Sequence, residues 1–172
     1  MKTFQAKRVT KHFTRTIAAS RSEIFPLLCP VREHEWIDGW TCEMIYSETG
    51  VAENNCVFKT SFPRGVEETW VVSHYDTEGF EIRFAVVNPE GYVMKLDISL
   101  QERGDDSTDM SWTNNFTGLT PEGNEFIANY DGETYAAAMQ GLFAALEHYL
   151  RTGQMLKIGP RHIKWHLFSR RS

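Results

Sequence analysis

Several features are scarce or absent in this chain of 172 residues. The three cysteines, Cys29, Cys42 and Cys56, form no CxxC pair, which predicts reduced, buried thiols rather than a disulfide framework. No apolar run approaches the roughly 20 residues that a membrane span needs. The basic N-terminus also lacks the apolar region of a secretory signal. We therefore expect a cytoplasmic protein without integral membrane segments.

An excess of positive charge is also missing. The formal net charge of −5 provides no general attraction to nucleic acid or to anionic lipid. The length fits one domain with a sizeable core, and 41% hydrophobic residues are typical of a globular protein. Aromatic residues, in contrast, are abundant at 13%, with five tryptophans. This content suits a cavity with flat apolar walls as well as a filled core.

Alternation of apolar and polar residues dominates the middle of the chain. In residues 92–101 every second side chain is apolar, and residues 110–117 repeat the pattern with Asn114 as a polar interruption. Similar segments predict seven strands, separated by turn signals such as FPRG, DTEG and NPEG. Short, evenly spaced strands favour an antiparallel sheet with one wet face and one covered face.

Helical signals lie near both ends of the predicted sheet. Ser20 and Glu23 have capping-box spacing, which predicts a short helix after the first strand. Thr120 is a good N-cap for a long helix over residues 121–152, loosened around YDGE, and Gly153 is a plausible terminator. A strongly twisted sheet wrapped round one long helix cannot close tightly along its whole length, so a space opens between them.

Three phrases carry a resemblance to a known superfamily: FTRTIAASRSEIFPLL, VREHEWIDGW, and WTNNFTGLTPEGNEFI leading into the long helix. They resemble the START-like, Bet v 1-like or SRPBCC superfamily, and most of all its bacterial group of polyketide cyclase/dehydrase or lipid transport proteins. The resemblance implies an α+β helix-grip fold: a seven-stranded antiparallel sheet curled round a long C-terminal helix, with two short helices after strand 1. It also implies binding of lipids, hormones or polyketides, partnership with chaperones, or cyclisation, although fold analogy alone does not establish function.

Residues 32–40, REHEWIDGW, concentrate acids, a histidine and two tryptophans. If residues 32–38 form a short helix, Glu33, Trp36, Ile37 and Trp40 share a face. In a helix-grip domain this helix closes one end of the cavity, so the tryptophans form a lid and Glu33 lies near the mouth. The alternative is a helix packed on the sheet edge with solvated charges.

A metal or cofactor site finds little support. The consecutive Glu-His-Glu at 33–35 cannot converge on one ion, because neighbouring helical residues point about 100° apart. His162 and His166 have helical spacing but no third ligand. Gly-rich phosphate loops and nucleophile motifs are absent from the sequence. We predict no metal and no cofactor.

His74 and Glu33 are the candidate catalytic bases, and the sequence leaves open whether any reaction is catalysed. Strand parity groups His74 with Trp70, so we expect it to face inward, as a hydrogen-bonded structural residue or as a base. Asn114 on an apolar face must find a partner, which is His74, a helix tyrosine, water or a ligand carbonyl.

These considerations yield a predicted set of ligand-binding residues. The set comprises Glu33, Trp36, Trp40, Trp70, His74, Phe84, Trp112, Asn114, Phe116, Tyr135, Met139 and Phe143. The expected ligand is a small hydrophobic or amphipathic molecule, such as a lipid, an aromatic or a polyketide-like compound. Two alternatives are a cyclase or dehydratase that uses the same cavity, and an interaction module without a ligand that exposes Trp36 and Trp40 as a patch. A weak homodimer is left open.

The last residues change in character. We divide the chain into a helix-grip domain at 1–153 and a basic tail at 154–172, which carries five basic residues and no acid. Apolar residues between the charges fit contact with a partner or a membrane surface. A frayed terminus beyond the domain is the simpler interpretation.

Overall fold

A computed structural model describes residues 3–61, 66–104 and 106–157 of the chain. The strands are β1 (Arg8–Ile17), β2 (Thr41–Tyr46), β3 (Val57–Ser61), β4 (Glu68–Asp76), β5 (Glu81–Asn88), β6 (Tyr92–Gly104) and β7 (Ser107–Gly118). The helices are α1 (Arg21–Ile24), the 3₁₀ helices η1 (Phe25–Leu28) and η2 (Glu33–Glu35), α2 (Pro121–Asn129) and α3 (Gly132–Thr152). The element order is the one that the alternation and the capping signals predict.

All seven strands form one antiparallel sheet. Their order is β1-β7-β6-β5-β4-β3-β2, so five consecutive hairpins run from β2 to β7 and β1 joins the far edge beside β7. Between β1 and β2 the chain crosses from one edge to the other through α1, η1 and η2. The predicted fold class, a seven-stranded antiparallel sheet with short helices after strand 1 and a long C-terminal helix, is confirmed.

Paired residues form rows across the inner face of the sheet. One row contains Trp70, Val86, Met94 and Phe116, and the next contains Val72, Phe84, Leu96 and Asn114. Apart from Trp70, which is partly buried, these side chains are buried. Every second position of β5, β6 and β7 thus faces the helices, because side chains alternate across a strand. This face is the floor on which a cavity can form.

The long C-terminal helix is interrupted where the YDGE stretch predicts loosening. α2 ends at Asn129, and Tyr130 has a non-helical backbone (φ −80°, ψ 78°). Asp131 then caps α3 by accepting a hydrogen bond from the backbone N–H of Thr134 at 2.7 Å. A capping aspartate competes with the continuous helix for the backbone, so the break follows from local chemistry. Gly153 terminates α3 in the left-handed conformation that the sequence predicts.

α2 approaches the turn between β5 and β6 very closely. A Cβ atom on Gly123 would overlap the backbone carbonyl of Gly91. Phe126, one helical turn later, stacks on Tyr92 with 4.7 Å between ring centroids. Because α2 is fixed in this way, Tyr130 at its end is held over the sheet, where it contacts Phe116 edge-to-face.

The tail prediction concerns residues that are mostly outside the described part of the chain. Residues 158–172, including His162 and His166, lie beyond it, whereas Lys157 contacts Asp38 at 3.1 Å. No helix within the described residues is long and apolar enough to cross a membrane.

Candidate functional site

A cavity lies between the inner face of the sheet, α3 and the segment that follows η2. About 790 Å³ of space separates its wall atoms, part of it open to solvent, and the centres of water-sized molecules can occupy about 90 Å³. One water needs about 10–15 Å³ on the latter measure, so the interior has room for several waters or a compact organic molecule. The wall residues are Glu33, Ile37, Trp40, Glu68, Trp70, Phe84, Met94, Leu96, Ile98, Trp112, Asn114, Phe116, Tyr130, Tyr135, Ala138, Met139 and Leu142.

Nine of the twelve residues predicted to bind a ligand line this cavity. They are Glu33, Trp40, Trp70, Phe84, Trp112, Asn114, Phe116, Tyr135 and Met139. The other three, Trp36, His74 and Phe143, do not line it. That the nine contact a ligand stays a prediction.

Trp36 and Phe143 belong to the solid core. The indole of Trp36 is fully buried and donates a hydrogen bond to the backbone carbonyl of Leu27 at 2.8 Å, so it fastens η2 to η1. Phe143 packs against Phe13 on the edge strand β1 and against Trp112, with centroid distances of 5.2 and 6.3 Å. Phe143 therefore separates the cavity from the far edge of the sheet.

The expectation that His74 faces inward is wrong. The β4–β5 register shifts between Val72, which pairs with Phe84, and His74, which pairs with Arg83. The extra residue, Ser73, reverses the parity of the strand from that point, as β-bulges do. The His74 side chain is consequently 40% exposed and lies 3.9 Å from Glu81 on the outer face. It has no access to the cavity.

Glu33 is the most unusual wall residue. It is only 7% exposed, and its carboxyl group has no hydrogen-bond or ion-pair partner among the described residues. Burial alone raises the pKa of Glu33 to about 8, because water no longer solvates the charged form. Near neutral pH the group is therefore mostly a neutral carboxylic acid that faces the cavity, able both to donate and to accept a hydrogen bond.

The segment that carries Glu33 is anchored from its outer side. Arg32 forms a two-pronged ion pair with Glu35, at 2.7 and 3.0 Å. Tyr149 near the end of α3 donates a hydrogen bond to Glu35 at 2.5 Å. These contacts hold the pKa of Glu35 down to about 2. Within η2, Glu33 thus lines the cavity, whereas His34 and Glu35 do not.

Trp40 closes the same end of the cavity. Its indole N–H donates to the backbone carbonyl of Pro30 at 2.8 Å, and its ring meets Trp70 edge-to-face at 6.3 Å. Trp40 is 9% exposed and Trp36 is fully buried. The two tryptophans therefore form no exposed patch. The hypothesis of an interaction module without a ligand depended on such a patch and is not supported.

Asn114, the polar residue on the inner face of β7, is paired with a helix tyrosine, one of the partners that the sequence predicted. The hydroxyl of Tyr135 on α3 donates to Oδ1 of Asn114 at 2.8 Å. Among the described residues, the amide nitrogen of Asn114 donates only to the Met94 sulfur, a weak acceptor, at 3.1 Å. A second tyrosine, Tyr130, also lines the wall. The middle of the cavity thus has an oriented polar pair within apolar surroundings.

Glu68 is a wall residue that the sequence analysis missed. Its carboxylate accepts hydrogen bonds from Asn88 Nδ2 (2.7 Å), Trp70 Nε1 (3.2 Å) and the Tyr92 hydroxyl (3.4 Å). Burial raises the pKa of Glu68, and these three donors oppose the rise. The alternation in the sequence could have indicated Glu68 as an inward-facing residue, because it has the same strand parity as Trp70 and Val72, which precede the bulge.

Ionisable wall residues comprise two acids and two tyrosines. Within the described lining there is no lysine, arginine or histidine. Among the described residues no three His, Cys, Asp or Glu side chains come together in a way that could hold a metal ion. The cavity offers carboxyl, amide and phenol groups on an aromatic surface, and hence acid–base or hydrogen-bonding chemistry.

No family model and no curated protein matches the sequence. The structure is similar to truncated norcoclaurine synthase from Thalictrum flavum, with a TM-score of 0.65, 15% identity, and coverage of 88% of this chain and 98% of that one. It is also similar to the Zhui aromatase/cyclase from Streptomyces sp. R1128 (TM-score 0.63, 15% identity, 87% and 100% coverage). A third similar structure is Ara h 8.0201 (TM-score 0.62, 12% identity, 85% and 99% coverage). At these identities the matches confirm the helix-grip fold alone.

Proposed function

Because the chain has the Bet v 1-like, or SRPBCC, fold, we propose that its cavity binds a small hydrophobic or amphipathic molecule of the lipid, aromatic or polyketide-like class. The observation that carries the proposal is a hollow with mainly apolar walls that still holds unused hydrogen-bonding capacity at Glu33. Pockets for small molecules combine these two features, with a few polar groups fixing the ligand's orientation. Similar structures include norcoclaurine synthase in complex with dopamine and hydroxybenzaldehyde, which are small aromatic compounds.

The size of the hollow favours a compact guest over a long acyl chain. A guest that buries about 200 Å² of apolar surface gains about 5 kcal/mol before the costs of association. The costs of association offset much or all of this gain, so well-placed polar contacts must supply a large part of the affinity. Trp40 and Trp70 at one end, and the Asn114–Tyr135 pair in the middle, provide flat surfaces and polar contacts.

The test uses two variants of adjacent alanines on α3. Ala138 lines the cavity, whereas Ala137 is exposed. Organic extraction of the freshly purified protein should yield a small molecule in stoichiometric amount, and native mass spectrometry should show the corresponding added mass. Ala138→Phe should lose that mass, and Ala137→Phe should keep it. Aromatic ligands should quench the fluorescence of the wall tryptophans in Ala137→Phe but not in Ala138→Phe.

A result in which no extracted or added compound binds, or in which both variants behave alike, would contradict the proposal. Retention of ligand by Ala138→Phe would place the ligand outside this cavity. Thermal unfolding of both variants provides the control for folding.

A catalytic function has one specific observation in its favour. Glu33 lines the cavity, has no partner for its carboxyl among the described residues, and has a pKa of about 8, which is near the optimum for a general acid at neutral pH. His74 lies outside the cavity, so the cyclase or dehydratase alternative now depends on Glu33. Its test is Glu33→Gln, which should abolish turnover of a bound substrate while its affinity is retained. The rate of the unsubstituted enzyme should fall above pH 8 as the acid loses its proton.

A further inference from the structure

The charged groups of the cavity point to a chemical class of ligand. Resting on the proposed function, we propose that the ligand is a compact aromatic amine whose protonated nitrogen pairs with Glu33. The wall residues include two acids and, within the described lining, no basic residue. An anionic amphiphile such as a fatty acid would meet no cation among the described wall residues, and burying its charge unpaired is strongly unfavourable. The cavity therefore selects against anions.

The carboxyl of Glu33 can form an ion pair with such a nitrogen. The carboxyl is 7% exposed, aims into the cavity, and has no bonded donor among the described residues. Buried polar groups normally have at least one partner, and a buried charge is normally paired. An ammonium group provides three donors and a full countercharge. Glu68 differs, because three protein donors already occupy its oxygens.

Aromatic rings strengthen the preference for a cation. Trp40 and Trp70 lie edge-to-face at 6.3 Å, and Phe84 meets Trp70 at 5.3 Å. All three line the cavity together with Glu33. Aromatic faces attract ammonium groups through their quadrupoles, and the attraction grows in a desolvated site. A carboxyl that shares a cavity with tryptophans, with no lysine or arginine among the described wall residues, is the arrangement that recognises an amine.

Pairing with a cation must also change the protonation of Glu33. With a pKa of about 8, about nine-tenths of the group is protonated at pH 7, and formation of the ion pair expels that proton. The other titratable groups around it are Cys42 on β2, Glu68 on β4, Tyr130, Tyr135 on α3, and the chain neighbours Arg32, His34 and Glu35. A variant of Glu33 itself separates its proton from theirs.

Three probes of matched shape test the inference on the full chain: 2-phenylethylamine, 2-phenylethanol and 3-phenylpropanoate. By calorimetry at pH 7, the amine should bind at least tenfold more tightly than the alcohol, and the carboxylate more weakly than both. Titrations in two buffers of different ionisation enthalpy should show release of about 0.9 proton per amine bound. Glu33→Gln should reduce the amine-to-alcohol ratio to near one and abolish the proton release, while it retains alcohol binding.

The matched control is Glu43→Gln, which makes the same substitution at an exposed position on β2, next to Cys42. This variant should behave like the unsubstituted protein. Alcohol binding without any preference for the amine would overturn the inference and leave the proposed function standing. Persistence of the preference in Glu33→Gln would overturn it as well, whereas failure of all three probes to bind would count against both.

Discussion

Replacement of Glu33 by Gln keeps the shape of the buried acid and most of its hydrogen-bonding atoms but removes its ability to ionise. In the folded protein burial raises the pKa of Glu33 to about 8, whereas its usual value is 4.5. Below pH 4.5 the group is protonated in both the folded and the unfolded chain, so ionisation has no effect on stability. Between pH 4.5 and about pH 8, Glu33 ionises only in the unfolded chain, and this ionisation stabilises the unfolded state.

The sign and size of the effect follow from proton linkage. The free energy of unfolding of the unsubstituted protein falls by about 1.4 kcal/mol per pH unit over this window, and levels off once the folded chain also ionises. At pH 7 the accumulated penalty is about 3 kcal/mol, and above pH 8 it is about 5 kcal/mol. Glu33→Gln avoids it, so the variant should be more stable by these amounts.

Urea unfolding at pH 5, 6, 7, 8 and 9 measures the difference between the two proteins. The stabilisation should be small at pH 5, rise with pH, and reach a plateau above pH 8. Glu43→Gln, exposed on β2, should show no such rise. A stabilisation that is the same at every pH would refute the reasoning, because it would mean that Glu33 ionises alike in the folded and unfolded chain.

Three further predictions concern residues around the cavity. Tyr135→Phe should lower the free energy of unfolding, measured by urea unfolding, by about 1–3 kcal/mol, because Asn114 Oδ1 loses its donor. An unchanged value would mean that water replaces the hydroxyl. Tyr149→Phe should raise the pKa of Glu35 from about 2 in a carboxyl NMR titration. The variant should therefore be less stable than the unsubstituted protein above pH 4.5, and the difference should fade as pH falls from 4.5 toward 2; an unmoved pKa would assign the shift to Arg32 alone. Trp36→Phe should destabilise by about 2 kcal/mol or more without changing ligand affinity, and a change in affinity would place Trp36 at the ligand.

The sheet was predictable because its signal is local and repeated. Residues 92–101 alternate without interruption and residues 110–117 with one exception, Asn114, and the structure pairs them as β6 and β7 in continuous register up to Glu102. Helix caps are also local signals. Ser20 and Glu23 form the predicted capping box, and Asp131 interrupts the long helix at the YDGE stretch, where the sequence predicts loosening. Each of these features depends on a few neighbouring residues.

The errors arose where one residue changes the parity or where packing is collective. Ser73 is an ordinary strand residue in the sequence, yet as the extra residue of a bulge it turns His74 outward. Phe143 belongs to the same helical stripe as Met139, and only the position of β1 determines that Phe143 packs in the core while Met139 reaches the cavity. The volume that remains open depends on all wall rotamers at once, which no short pattern records.

The two acids of the cavity, Glu33 and Glu68, should respond oppositely to the same substitution. Among the described residues Glu33 has no hydrogen-bond partner, whereas Glu68 has three. In Glu68→Gln the side-chain oxygen can keep the position that accepts from Asn88, but the new NH₂ group then faces the N–H of Trp70, which donates to the second carboxylate oxygen at 3.2 Å. Two donors in contact leave a buried N–H unpaired at a cost of about 1–3 kcal/mol. We expect this cost to exceed the gain from removing an acid whose pKa burial raises, so the variant should be less stable. Urea unfolding at pH 8 should therefore order the proteins as Glu33→Gln, unsubstituted, Glu68→Gln. If both variants were stabilised, desolvation would outweigh hydrogen bonding at Glu68 too, and Glu33 would lose its distinction as the acid left open for a ligand.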